Sequence, residues 1–314
     1  MAFEFESRVR YSETGPDQKL TLVSLVDYFQ DSSTFQSEDC GAGMNYLYEH
    51  DAAWMILSWQ IDILRRPVLG EKIYAQTWPY GFKMFYGYRN YALLDANRNY
   101  LAKANSIWVL MNTKTGKPMK VPPEHANSYG LEEKLDMEYG SRKMKIPEES
   151  VKMEPFPVCH YHLDTNHHVN NGQYIRMAEE YLPAGFEASR LVVEYRQQAH
   201  LHDVIVPYVH QEENRVAVSL CDEEGKPYAL LNLIRRESHK EGPTLVGGCL
   251  MSNLTRRDPL AGGSLVDDAS GMKDIRQLRS EQNVKRQKIF TDERRIKIKI
   301  QREELCCRQE KKEN

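Results

Sequence analysis

Asp164-Thr-Asn-His-His-Val-Asn-Asn-Gly-Gln-Tyr174 is the stretch of this 314-residue chain on which our interpretation of fold and function depends. It places a carboxylate, a carboxamide and an imidazole at alternate positions, Asp164, Asn166 and His168. In an extended chain this spacing directs the three side chains to one side. A polar turn before a helix is the simpler interpretation of any single residue here. Three different functional groups in this order instead favour a reactive site.

An amphipathic helix is predicted directly after this motif. Apolar side chains recur at helical spacing up to Pro183, which ends the pattern: Tyr174, Ile175, Ala178, Tyr181 and Leu182. Asn170 or Asn171 is the expected N-cap, because a short carboxamide accepts a hydrogen bond from the first turn. The N–H groups of that turn and the helix dipole favour negative charge. We therefore expect the backbone around Asn170, Asn171 and Gly172 to bind an oxyanion.

The order of residues in the motif is also typical of one family. Asp-x-Asn-x-His-Val-Asn-Asn, followed by an aromatic and apolar helix, resembles the signature of acyl-acyl-carrier-protein (acyl-ACP) thioesterases, which have tandem hot-dog domains. The matching residues are Asp164, Asn166, His168, Val169, Asn170 and Asn171. The resemblance covers roughly residues 1–237, and in the first half it rests on Trp78, Lys83, Arg89, 101–104, 106–112, Val121 and Pro122. It implies an enzyme without a cofactor that hydrolyses acyl-ACP to free fatty acid and so terminates fatty acid synthesis.

Hydrolysis of a thioester requires an activated water, donors for the oxyanion and a proton for the leaving thiolate. His168 is the expected proton carrier, because an imidazole titrates near neutral pH. Asp164 would orient the site and favour the imidazolium, or would itself be the base, and the sequence leaves both roles open. Asn166 would position the water or the substrate through its carboxamide.

One position departs from the family pattern. The stretch that in the family resembles Glu-Tyr-Arg-Arg-Glu-Cys reads Glu-Tyr-Arg-Gln-Gln-Ala here, from Glu194 to Ala199. Gln198 therefore stands where the resemblance implies a catalytic Glu, and an amide cannot act as a general base. Either Gln198 holds the attacking water while Asp164 or His168 is the base, or the enzyme is slow.

Two other functions stay open at the level of the sequence. A hot-dog hydrolase acting on acyl-coenzyme A would favour a pocket for adenosine phosphates, and the duplication within one chain argues against it. A non-catalytic acyl-ligand binder is suggested by Gln198. Such a binder would have no need of Asp164, Asn166 and His168 together.

Composition sets the broad class of the protein. A hydrophobic content of 41% and a charged content of 28% are typical of a globular protein with a core. A formal net charge of −3 gives no general signal for binding nucleic acid. The six cysteines are scattered and indicate reduced thiols, so the cytoplasm is the expected location. We recognise no signal peptide, transit peptide or apolar run of the length that spans a membrane.

Four histidines near the motif raise the question of a metal. His160 and His162 would share one face of a strand, with His167 and His168 following. Zinc sites usually add Cys or carboxylates at recognisable spacing, and Cys159 would point to the opposite face. We therefore expect polar histidines at a strand end and no metal site.

The rest of the chain predicts an α+β arrangement in which an antiparallel sheet wraps around a helix. Residues 3–9 alternate as a strand, and a helix follows with Thr21 as N-cap and an apolar stripe of Leu22, Leu25, Val26 and Phe29. Strands are then predicted at 58–63, 72–78, 85–94 and 100–111. The second half repeats this plan with strands at 158–163, 190–197, 204–210, 215–221 and 228–234. The shared order of elements indicates an internal duplication.

These boundaries predict two tandem hot-dog domains and a tail. We expect an N-terminal domain at 1–121, a linker at 122–157, a C-terminal domain with the catalytic motif at 158–237, and a charged tail at 238–314. Proline and charge punctuate the linker, which we expect to contain a short helix. The tail is too polar to bury much apolar area, so we expect disorder or a loose helix there.

A fatty acyl chain requires a long apolar cavity, and the resemblance implies that the first domain shapes it. Aromatic and Met residues of the first half could line this cavity: Trp54, Met55, Trp59, Trp78, Met84, Phe85 and Tyr86. The acylated carrier protein is the implied partner, and its acidic surface calls for basic residues such as Arg65, Arg66 and Lys83. The sequence does not decide between a monomer and a homodimer.

Overall fold

The computed structural model of the chain describes residues 2–235, which form a 12-stranded antiparallel sheet and four α-helices. The first half contains β1 (Phe3–Arg8), α1 (Leu22–Asp39), α2 (Met44–Glu49), β2 (Ala52–Ile63), β3 (Lys72–Lys83), β4 (Tyr86–Asp95), β5 (Tyr100–Asn112), β6 (Lys117–Pro118) and α3 (Pro123–Tyr129). The second half contains β7 (Val151–Lys152), β8 (Phe156–Pro157), α4 (Asn171–Glu179), β9 (Arg190–Tyr195), β10 (Val204–Gln211), β11 (Arg215–Cys221) and β12 (Pro227–Ile234). The predicted tail lies outside the described residues.

The sheet runs without a break through both halves. Its strand order is β1-β3-β4-β5-β2-β9-β12-β11-β10-β7, with β6 on β5 and β8 on β10. The two halves meet where β2 pairs with β9, for example at Ser58 opposite Glu194 and Ile61 opposite Leu191. We call this pairing the seam.

Helix α1 forms because an N-cap and an apolar stripe coincide. The Thr21 hydroxyl accepts the Ser24 N–H at 3.1 Å, as predicted, and satisfies one unpaired donor of the first turn. Phe29 on the buried face of α1 packs against the rings of Trp59 and Tyr91 in the sheet. Burial of such a side chain stabilises the fold by about 1.5–3 kcal/mol.

Helix α4 lies beside α1. The Asn171 Nδ2 of α4 donates to the Gln30 Oε1 of α1 at 3.2 Å. Gly172 permits this approach, because an added Cβ would lie 3.2 Å from Asp27 Oδ1 and 3.3 Å from Val23 Cγ1. A turn precedes each of these helices. We call the turn before α1 the first loop (14–21) and the turn before α4 the second loop (163–170).

The linker covers the face of the sheet opposite α1. Five successive strands, β3, β4, β5, β2 and β9, bond its backbone between residues 132 and 144. Gln60 of β2 donates to Glu138 O at 2.6 Å and accepts the Gly140 N–H at 2.8 Å. Asn90 and Glu194 accept the N–H groups of Leu135 and Met144, respectively. We call residues 132–144 the strap.

Several predicted boundaries are wrong. The strand expected at 158–163 is absent: β8 ends at Pro157, and His160–His162 is a short 3₁₀-helix. His162 Nδ1 accepts the Cys159 N–H at 2.9 Å, a local bond that competes with strand pairing. Helix α4 ends at Glu179 because the N–H groups of Tyr181 and Leu182 bond three residues back rather than four. The expected short helix of the linker is confirmed as α3.

Candidate active site

The second loop is a closed turn rather than an extended segment. The Asp164 N–H donates to His168 O at 2.8 Å and the His167 N–H donates to Asp164 O at 3.1 Å. His167 takes a left-handed conformation with φ +61°. Our premise that Asp164, Asn166 and His168 lie along extended chain is therefore wrong. The turn forms because the short Asp164 side chain bonds the backbone within the loop.

Asp164 organises this turn. Its Oδ1 accepts the Asn166 N–H at 2.8 Å and lies 3.4 Å from the His168 N. A short carboxylate that accepts backbone N–H groups of its own loop holds that loop in one conformation. The geometry therefore favours an orienting role for Asp164.

Asn166 lies at a large cavity of the first half. Its side chain is exposed and makes no hydrogen bond with the described residues. The cavity has a volume of about 710 Å³ and lies among α1, α2 and the sheet. Its lining includes Leu47, Trp54, Phe82, Trp108 and Tyr129. The second loop thus brings a carboxamide of the second half to an aromatic cavity of the first.

His168 is a half-buried residue of this loop. Burial is the main cause that lowers the pKa of His168, and the neighbouring His200 and His167 lower it further. Asp164 acts in the opposite direction and raises the pKa. The net shift is downward, so the imidazole of His168 is neutral, and able to accept a proton, at neutral pH.

The N-terminus of α4 leaves one backbone donor unoccupied. Asn170 is the N-cap, since its Oδ1 accepts the Gly172 N–H at 2.8 Å, while its own N–H donates to His162 O. The Asn171 N–H has no hydrogen-bond partner among the described residues. Asn171 is held by two contacts: Tyr195 Oη donates to its carbonyl at 2.9 Å, and Gln30 accepts from its side chain. Of the three expected oxyanion donors, Asn171 alone is free.

Gln198 lies in the turn after β9, close in sequence to backbone that contacts the second loop. Its side chain is exposed and makes no hydrogen bond with the described residues. Its neighbour Ala199 is fixed twice: its N–H donates to Tyr174 Oη at 3.1 Å and its carbonyl accepts the Val169 N–H at 2.9 Å. The segment is therefore anchored although the Gln198 amide is not.

The structure places His200 against the motif and Asp203 against His200, and neither residue was predicted for the site. The His200 ring lies against the His168 ring with centroids 4.8 Å apart, and Asp203 Oδ2 accepts the His200 N–H at 2.8 Å. The contact between residues 168 and 200 depends on tertiary structure, which the sequence does not show. The only local indication of a site there is the cluster of polar residues in His200-Leu-His-Asp203.

Within residues 2–235 we find no group of three or more His, Cys, Asp or Glu side chains that could hold a metal ion. His160 and His202 lie 6.2 Å apart between ring centroids. No helix of the described segment is long and apolar enough to cross a membrane.

An antiparallel sheet that wraps two neighbouring central helices, with a polar loop leading into the second helix, defines a double hot-dog protein. Solved structures agree: an acyl-ACP thioesterase from Bacteroides thetaiotaomicron matches with a TM-score of 0.69 at 20% identity, covering 74% of this chain and 97% of that one. A 12:0-ACP thioesterase from Umbellularia californica matches with a TM-score of 0.67 at 18% identity, covering 74% and 96%.

Sequence comparison gives the family. The model of the acyl-ACP thioesterase N-terminal domain matches residues 1–129, and that of the C-terminal domain matches residues 145–230. The chain belongs to the acyl-ACP thioesterase family. A chloroplastic acyl-[acyl-carrier-protein] hydrolase of Cuphea viscosissima and a palmitoyl-acyl carrier protein thioesterase of Cuphea hookeriana are each 25% identical over 223 residues. These matches cover 65% of this chain and 54% of each relative, so the chain spans about half their length.

Proposed function

We propose that this protein hydrolyses the thioester of acyl-ACP and releases a free fatty acid. One observation carries the proposal: the loop that holds Asn166 at an aromatic cavity also holds a neutral imidazole, His168, and leads to the free N–H of Asn171. The two Cuphea relatives, named as a hydrolase and a thioesterase of acyl carrier protein, support acyl-ACP as the substrate.

The mechanism we propose is direct attack by water. Asn166 holds the water, His168 takes its proton, and the new C–O bond forms as the carbonyl oxygen becomes negative next to the Asn171 N–H. The C–S bond then breaks, and His168 returns the proton to the leaving thiolate. A positioned acid–base group contributes about 10²–10⁴-fold to the rate, and one oxyanion donor about 10²–10³-fold.

In this scheme Asp164 orients the loop and is not the base. One of its oxygens already accepts the Asn166 N–H at 2.8 Å. Its charge stabilises the His168 imidazolium that forms when the water is deprotonated, consistent with its raising the pKa of that group.

The acyl chain occupies the cavity of the first half in our proposal. Of the aromatic residues expected to line it, Trp54 does so. Trp59 is instead fully buried in the core, and the Trp78 indole donates to Glu133 O of the strap at 2.8 Å. A cavity of about 710 Å³ whose wall includes Trp54, Phe82 and Trp108 is typical of a site for an apolar ligand.

We propose that the carrier protein docks near Lys83, at the C-terminal end of β3. Arg65 is paired with both carboxylate oxygens of Glu71, and Arg66 contacts Asp17, so neither charge is free for a partner. Lys83 is exposed at the end of β3 and makes no ion pair with the described residues, and Phe82 beside it lines the cavity. A free cation at this position suits an acidic partner.

The test is release of free thiol from a panel of acyl-ACP substrates of different chain length, with matched acyl-coenzyme A substrates. We expect hydrolysis of acyl-ACP that falls by at least about 100-fold in His168→Ala. Lys19→Ala, at the equivalent position of the first loop, is the matched control and keeps wild-type turnover. Preference for acyl-coenzyme A would replace the proposed substrate, and tight acyl-ACP binding without turnover would make the protein a binder.

A further inference from the structure

The side chains of His168 and His200 are in contact at the second loop, although the fold does not require two rings at these positions. The rings of His168 and His200 lie 4.8 Å apart with an interplanar angle of 77°, and the two residues form an isolated antiparallel bridge. In the first half the same bridge joins Lys19 to Val68, where no imidazole is present. The fold therefore needs the bridge but not the two rings.

The carboxylate of Asp203 contacts His200. Its Oδ2 accepts the His200 N–H at 2.8 Å, lies 3.7 Å from His200 Nδ1, and accepts from Tyr228 Oη at 3.3 Å. The bond to the backbone has a counterpart in the first half, where Glu71 Oε2 accepts the Val68 N–H at 3.0 Å. The contact of the carboxylate with an imidazole belongs to the second half alone, because Val68 has no ring.

We infer that His200, oriented by Asp203, is a positioning residue that acts through His168 in thioester hydrolysis. The inference rests on the proposed function and adds a second imidazole to it. His200 packs edge-to-face on His168 and keeps it in place, while the Asp203 carboxylate stabilises positive charge on the pair. The proton still passes from water to His168 and on to the thiolate sulfur, so no proton is gained or lost by His200 over a turnover.

This arrangement gives the chain an alternative to a carboxylate at position 198. Gln198 cannot act as a general base, and its exposed amide makes no hydrogen bond with the described residues. His200 follows two residues later on the same anchored segment, with its ring on the candidate base. The Asp203 carboxylate, which faces the His200 ring, places negative charge near the pair, as a Glu at position 198 would.

Four groups besides the two imidazoles determine the electrostatics of the pair: Asp164, His167, Asp203 and Tyr228. Asp164 raises the pKa of His168, whereas His200 and His167 lower it. Asp203 faces His200, and the hydroxyl of Tyr228 faces Asp203. Removal of His200 takes away a neighbour that disfavours protonation of His168. The pKa of His168 then rises, and activity that depends on the neutral ring declines at a higher pH than in the wild type.

The experiment compares His200→Ala, His200→Phe and Asp203→Asn with the wild-type full chain. In acyl-ACP hydrolysis we expect His200→Ala to lower kcat by about tenfold with KM little changed, and to move the acid limb of the pH profile to higher pH. His200→Phe restores ring packing, so it recovers part of kcat but keeps the shifted limb. Asp203→Asn lowers kcat less than His200→Ala. A wild-type kcat and pH profile in His200→Ala would overturn the inference.

A second readout separates this inference from the proposed function. The ring protons of His168 are followed by NMR over pH 4–9, and their signals are assigned by loss in His168→Gln. An upward shift of the His168 pKa in His200→Ala supports the coupled pair even if no acyl-ACP is hydrolysed, in which case the proposed function alone fails. An unchanged His168 titration would overturn the coupling. His200→Ala leaves the backbone bond to Asp203 in place, so thermal unfolding close to wild type is expected.

Discussion

The first and second loops have the same backbone and different chemistry. The Gly15 N–H donates to Lys19 O as Asp164 donates to His168 O, and Gln18 and His167 both have positive φ, +59° and +61°. The following residues match as well: Leu20 and Val169 are buried, each donates its N–H to a neighbouring segment, and Thr21 and Asn170 are the N-caps.

The side chains of the first loop are ion-paired, and we call them the closed set. The equivalent side chains of the second loop are not ion-paired with one another. In the first loop Asp17 contacts Arg66, and Lys19 bonds Glu187 at 2.6 Å. In the second loop Asn166 takes the place of Asp17 and is left facing the cavity. The ion pairs of the first loop satisfy its polar side chains internally, whereas Asn166 of the second loop has no hydrogen-bond partner among the described residues.

The helix starts differ in the same way. Glu179 is the ninth residue of α4, and the Leu22 N–H at the start of α1 is among the groups that stabilise its ionised form. Gln30 is the ninth residue of α1 and bonds the Asn171 side chain, which leaves the Asn171 N–H free. The duplicated fold therefore offers two equivalent positions for a site. The side chains close one of them and leave the other open.

The largest effect is expected from transfer of the closed set to the second loop. Asn166→Asp combined with Gln198→Arg reproduces the pair of Asp17 with Arg66 at the cavity. We expect kcat/KM for acyl-ACP to fall by at least about 100-fold, because the water-positioning amide is lost and a charge pair takes its place. The reverse double variant, Asp17→Asn with Arg66→Gln, is the control and keeps wild-type turnover. Retained activity in the transferred pair would show that Asn166 has no role.

Glu179→Gln gives α4 the residue that α1 has at the equivalent position, Gln30, and is expected to change how stability depends on pH. Burial raises the pKa of Glu179 to about 7, against 4.5 ordinarily. A carboxyl whose pKa is raised by folding stabilises the fold fully below about pH 4.5, and this contribution is lost as the pH rises through 7. At pH 8 we expect Glu179→Gln to be more stable than the wild type by up to about 3 kcal/mol in urea unfolding, with little difference at pH 4. The same difference at both pH values would contradict the prediction.

A smaller effect distinguishes the two N-caps. Thr21→Ala and Asn170→Ala each remove a cap that accepts an N–H of the first helical turn, so each is expected to cost about 1 kcal/mol of unfolding free energy. Asn170→Ala should also lower kcat, because it loosens the turn that presents the Asn171 N–H. Thr21→Ala should leave kcat at the wild-type value. Equal kcat in both variants would mean that the start of α4 is not part of the reaction.

The smallest effect is expected from Gln198→Glu. The Gln198 side chain is exposed and makes no hydrogen bond with its described surroundings, so a carboxylate there costs little stability. We expect activity on acyl-ACP to be kept or raised, because a carboxylate can accept a proton and an amide cannot. Steady-state kinetics with Gln198→Ala as the control measure this. A large loss of turnover in Gln198→Glu would point to a specific role of the amide.

The elements of the fold could be predicted because their signals are local. A strand is predicted at 215–221, where Val216, Val218 and Leu220 stand at alternate positions, and β11 has these bounds. Thr21 precedes an apolar stripe of helical spacing, and α1 begins after it. The strand at 158–163 could not be excluded from the sequence, since the bond between His162 and the Cys159 backbone depends on the folded turn.

The candidate site could be predicted only for the residues of one segment. Asp164, Asn166 and His168 share a loop as expected, but in a closed turn. The approach of His200 to His168 depends on the backbone pairing of two segments that are about thirty residues apart. The free N–H of Asn171 depends on the side chains of Gln30 and Tyr195, which hold Asn171 from two other elements. Such contacts leave no periodic pattern in the sequence.

The strap ties the two halves of the molecule together across the seam. Gln60 on one side of the seam and Glu194 on the other both bond its backbone, and Arg190 of β9 joins Asp62 of β2 at 2.6 Å and Glu138 of the strap at 2.8 Å. Hinge opening between the halves would break these bonds together with the β2–β9 ladder. Under the proposed function, an acyl chain therefore has to reach the cavity while the two halves stay joined.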